Sequence, residues 1–79
     1  MKMIAVLKDI TRGGYGLELL QAGSLVGYVK TSFRSNIPGL GYLKSSPIGN
    51  HLEVEVKIGR TKYRVLKIIG PLPRNNSHR

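Results

Sequence analysis

The chain has no cysteine and no tryptophan, and only four of its 79 residues are acidic. Without cysteine there is no disulfide framework to support a thin core, and a reducing compartment is expected. No apolar run approaches the roughly 20 residues that a membrane span needs. The opening Met1–Asp9 is too short and too soon charged for a signal peptide. The expectation is therefore a soluble, cytoplasmic protein with no membrane contact. Aromatic residues are also few, four Tyr and one Phe, which gives little support for a base-stacking surface.

What the chain does have is positive charge. Thirteen Lys and Arg stand against the four acids, for a formal charge of +9. That balance suits nucleic acid, an acidic protein partner or an anionic ligand, and it also serves solubility. A domain of this length buries only about 60–65% of its unfolded surface. Its stability is expected to be a few kcal/mol.

Short strands account for most of the chain. Lys2–Lys8 is a brief apolar run, and Asp9–Gly14 carries turn chemistry. Tyr15–Leu20 then sets Tyr15, Leu17 and Leu19 on one face. Gln21–Ser24 is a tight connection into Leu25–Ser32, making a hairpin. Phe33–Gly39 is irregular and contains Pro38, Leu40–Lys44 reads as a brief strand, and Ser45–Asn50 is a polar turn.

The clearest pattern follows: Leu52, Val54, Val56 and Ile58 alternate with Glu53, Glu55 and Lys57. After the turn Gly59-Arg60-Thr61, Lys62–Ile69 returns with a change of parity that predicts a bulge near Val65 or burial on both faces. Gly27 and Gly41, each before a tyrosine in an apolar run, are expected at the corners of a tightly curled barrel. The fold class is all-β: a small closed six-stranded antiparallel Greek-key barrel over 1–70, with a frayed basic tail over 71–79.

Catalytic chemistry has few carriers. Glu53 and Glu55 share a strand face, but the opposing Lys and Arg of the returning strand make them a solvated, charge-paired surface. His51 and His78 are the only imidazoles, no His/Cys/Asp spacing suits a metal, and no serine has a base at fixed geometry. Gly13-Gly14-Tyr15-Gly16 lacks both the spacing and the following helix of a phosphate cradle. The chain by itself does not read as an enzyme.

The best binding feature is the basic hairpin, with Lys57, Arg60, Lys62, Arg64 and Lys67 on one two-stranded unit. These residues suit phosphates or an acidic partner surface. Equally, they suit a solvated face that pairs with Glu53 and Glu55 and shields a sheet edge. Arg12 and Arg34 join the site only if their loops lie on the same side.

The order of motifs also resembles a known family. Arg12-Gly13-Gly14-Tyr15-Gly16-Leu17, then Gly23 and Val26-Gly27-Tyr28-Val29-Lys30-Thr31-Ser32, then Gly39-Leu40-Gly41-Tyr42-Leu43, are similar to the C-terminal domain of the glycine cleavage T-protein (aminomethyltransferase). The same domain ends the related dimethylglycine and sarcosine dehydrogenases or oxidases. Gly49–Val56, Gly59-Arg60-Thr61-Lys62 and Val65–Arg74 continue the pattern, so the resemblance spans about residues 4–74.

It departs from the family where Phe33 follows the Thr-Ser pair in place of glycine, and where proline is delayed to Pro38. The family's catalytic aspartate and most of its folate cleft belong to preceding domains that have no counterpart here. The resemblance implies a closed Greek-key barrel, shared with an elongation-factor domain, that packs beside a catalytic module. It also implies that Arg74 matches a basic position near the cleft.

Two functions are therefore expected. The first is a non-catalytic barrel that docks on a separate T-protein-like or flavin-dependent amine-oxidising subunit. Tetrahydrofolate or flavin would sit in that partner, since this chain alone binds no cofactor, and an apolar patch including Phe33, Tyr28 or Tyr42 would stay exposed. The second is a basic barrel that binds RNA or DNA through the Lys57–Lys67 hairpin. Across the two readings the binding residues are Arg60, Lys62, Arg64, Lys67 and Arg34, with Arg74 added by the resemblance.

Overall fold

The computed structural model describes residues 1–72. Five strands make one antiparallel sheet: β1 (Lys2–Ile10), β2 (Gly14–Gln21), β3 (Ser24–Ser32), β4 (His51–Ile58) and β5 (Tyr63–Pro71). One short helix, α1 (Leu40–Lys44), lies between β3 and β4. The strands are ordered β3-β2-β1-β4-β5. β1 to β3 form a meander and β4 returns to lie beside β1, which is the Greek-key arrangement.

Period-two alternation builds the core, because it aims every second side chain at one face. Leu7, Leu17, Leu19, Leu52, Val54 and Val56 are fully or almost fully buried. Ala5 pairs with Leu19 and Leu52, and Leu7 with Leu17, so the buried residues meet in cross-strand ranks. The bulge expected near Val65 is present. Glu55 pairs with Lys67 and Val56 with Val65, leaving Leu66 without a partner. A second register shift, which leaves out Ile69, lies between Glu53 and Val54.

Three expectations are corrected. The sheet has five strands and does not close, because Leu40–Lys44 is a helical turn rather than a sixth strand. A four-residue apolar stretch carries no decisive periodicity, so its conformation follows from tertiary contacts. The Pro38 carbonyl accepts a 2.9 Å hydrogen bond from the Ile68 N–H, and Leu43 is fully buried in the core. Gly41 is accordingly an exposed helical residue where an added Cβ would meet open space, not a barrel corner. Finally, Pro71 ends β5 opposite Leu52, and the Leu72 N–H bonds the His51 carbonyl at 2.9 Å, so ordered structure runs past residue 70. Arg74 and the rest of the expected tail lie outside the described residues.

The sheet curls until its two edge strands, β3 and β5, face each other. At the closest point Tyr63 covers Gly27, where an added Cβ would lie 2.8 Å from two ring carbons. Gly27 therefore sits where a tyrosine ring meets the backbone of the facing strand in an open sheet, not at the corner of a closed barrel. The irregular segment from Phe33 to Gly39 crosses one end of this seam and pairs with β5 at Ile68. An open cleft remains along the rest.

Candidate functional site

The cleft between β3 and β5 has a volume of about 730 Å³, and it is lined by both strands, the turn before β5 and the loop after β3. Its floor is apolar, with Val29, Ile37 and Val65 packed into or against the core. Its rim is polar and basic, carrying Lys30, Ser35, Asn36, Lys62 and Arg64.

The register explains the placing of these cations. Lys30 pairs with Gly16, between the inward pairs Tyr15–Thr31 and Leu17–Val29, and so faces outward. Arg64 pairs with Lys57, beside the inward pair Val56–Val65, and also faces outward. Lys62 lies in the turn just ahead of β5. Three cations from two parts of the chain, β3 and the entry to β5, therefore surround one cavity.

The carboxylates are engaged elsewhere. Glu53 faces Lys2 at 3.8 Å and Glu18 faces Lys8 at 3.9 Å, while Glu55 takes the Met1 ammonium. That hydrogen bond is the largest cause holding the Glu55 carboxyl below its ordinary range; slight burial opposes it, and the positive charges of Met1, Lys67 and Lys2 support it. Asp9 accepts a hydrogen bond from Tyr28 Oη at 3.2 Å. Among the described residues no ion pair reaches Lys30, Lys62 or Arg64. Glu55 stands opposite Lys67 in the ladder, but the ion pairs of both strand glutamates run to the N-terminal segment rather than to the returning strand.

Tyr28 flanks the cleft and is half exposed. Its phenol end lies over Gly16, where a Cβ would overlap both the Tyr28 hydroxyl and the Asp9 carboxylate. Desolvation against the sheet, then the charge and hydrogen bond of Asp9, then the charge of Glu18, raise the hydroxyl above the ordinary tyrosine value.

Of the residues singled out in the sequence, Lys62 and Arg64 line the cleft. Arg60 is exposed at the hairpin tip and Lys67 is exposed on the outer face, neither lining the cavity. Arg34 is exposed in the loop, its N–H bonded to Ser32 Oγ at 3.1 Å, one residue before the cleft-lining Ser35. Arg12 lies in the turn between β1 and β2 and does not line the cleft. Lys30 joins the site without having been singled out, and Tyr28, expected only in an apolar docking patch, joins it beside the cations. Their outward alternation along β3 was the available signal, but only the curl of the sheet brings them to β5.

The chain matches no protein-family model, no curated protein and no solved structure. Chemistry therefore rests on the cleft itself. Among the described residues, no three His, Cys, Asp or Glu side chains come together as a metal-holding group. Ammonium and guanidinium groups around a concave site can hold phosphate or carboxylate oxygens.

Proposed function

We propose that this protein is a non-catalytic module that binds a nucleic-acid strand along the β3–β5 cleft. The observation that carries this reading is the pairing pattern of the charges. All four acidic side chains are engaged by other groups, while Lys30, Lys62 and Arg64, which form no ion pair among the described residues, stand around one cavity. Arg60 at the hairpin tip and Arg34 in the neighbouring loop extend the positive surface. A formal charge of +9 adds long-range attraction for a polyanion.

Fluorescence anisotropy of a labelled oligonucleotide across a salt series tests the proposal. Neutralising about three phosphates gives a slope of log K against log salt near −2, and steeper if Arg60 and Arg34 contribute. Failure to bind at low salt, or binding indifferent to salt, would refute it.

Exposed aromatic surface favours a second reading. Tyr28, Phe33 and Tyr42 are 52%, 38% and 44% exposed and offer apolar area to a docked partner. Here the chain would dock on a T-protein-like or flavin-dependent subunit holding tetrahydrofolate or flavin, and the partner would complete the barrel that the family resemblance implies. A pull-down from the native extract, with and without nuclease, separates the two readings. A stoichiometric folate or flavin enzyme that survives nuclease would support docking. Its absence, with nuclease-sensitive recovery of nucleic-acid-binding proteins, would support the cleft.

A further inference from the structure

We infer that the cleft selects single-stranded over double-stranded nucleic acid, with Tyr28 as a stacking platform for one unpaired base. The inference deepens the nucleic-acid reading and rests on it.

Three observations carry it. First, Tyr28 is fixed as well as exposed. Its hydroxyl is tied to Asp9 Oδ1 at 3.2 Å and its phenol end lies over Gly16, while the residue remains 52% exposed. A ring already held in place loses little freedom when a base stacks on it.

Second, the cations that line the cleft lie to one side of that ring. Lys30 is two residues along the same strand on the same outward face, and Arg64 and Lys62 stand across the cleft. On the other side, Glu18 is directly opposite Tyr28 in the ladder and Asp9 holds its hydroxyl. Asp9, which has no ion-pair partner among the described residues, repels phosphate and turns a bound backbone towards Lys30 and Arg64, whereas Glu18 is paired with Lys8 at 3.9 Å.

Third, the cations surround a recess, whereas a base on Tyr28 must offer a free π-face. A duplex keeps its base faces stacked inside, so only an unpaired strand can combine the ring with the recessed cations.

The test compares an oligothymidylate of about ten nucleotides with a duplex of the same length, a length within the range bound by small single-strand modules. Wild type is expected to bind the single strand at least tenfold more tightly. Tyr28→Ala should weaken single-strand binding between about five- and a hundredfold, the range of one lost base–aromatic stack. Its duplex affinity should stay within about twofold. Tyr28→Phe keeps the ring and should retain most of the single-strand affinity, with circular dichroism verifying the fold of both variants.

Equal affinity of wild type for the two forms would overturn the inference. So would unchanged single-strand binding by folded Tyr28→Ala, or an equal loss in Tyr28→Phe and Tyr28→Ala. Loss of all nucleic-acid binding in the salt series is a separate failure, that of the parent reading.

Discussion

Gly39 has φ 84°, and a Cβ there would overlap the Ile68 carbonyl. Left-handed backbone alone costs an L-residue roughly 1–2 kcal/mol, and the clash with rigid backbone adds to it. Gly39→Ala is therefore expected to destabilise the domain by about 2 kcal/mol or more, measured by urea unfolding. Tyr28 makes a residue-scale prediction about pH. Its hydroxyl is raised above the ordinary tyrosine value, so its contribution to stability is complete below about pH 10. That contribution is lost as pH climbs through the higher folded value. Ultraviolet difference titration should show a Tyr28 component ionising later than the free amino acid, lost in Tyr28→Phe and shifted back downward in Asp9→Asn. A titration of the wild type with no late component would contradict this assignment.

At the scale of elements, α1 is held by one buried side chain and by the hydrogen bond that anchors the loop ahead of it. Leu43→Ala should cost about 2–5 kcal/mol, as truncation of a fully buried leucine does. In a domain this small that is enough to detach the helix or unfold the chain, and hydrogen exchange across 38–46 would register it. The same element marks the limit of what the sequence could tell. Strands with strict alternation, such as Leu52-Val54-Val56 against Glu53-Glu55, were legible because burial on one face leaves a period of two. Leu40–Lys44 was not, because its helix depends on Ile68 pairing with Pro38, a contact far away in sequence. The cations of the β4–β5 hairpin were legible for the same reason as its strands, being local. Their meeting with Lys30 and Tyr28 was not, since it requires a curl that no single segment encodes.

At the scale of the whole molecule, the distribution of charge decides the account. Lys30, Lys62 and Arg64 form no ion pair among the described residues and share a cavity, while Lys44, Lys57 and Lys67 form none either but do not line it. Net charge and local site can be separated by two triple variants that remove equal charge. One replaces Lys30, Lys62 and Arg64 with glutamine. The other replaces Arg12, Lys44 and Lys67, which do not line the cleft and form no ion pair among the described residues. The decisive measurement is the salt dependence of single-strand binding for both. The expected result is a slope shallower by about 2 in the cleft variant and nearly unchanged in the control. An equal change in both would mean that the +9 charge acts diffusely, and it would contradict the assignment of the β3–β5 cleft as the binding site.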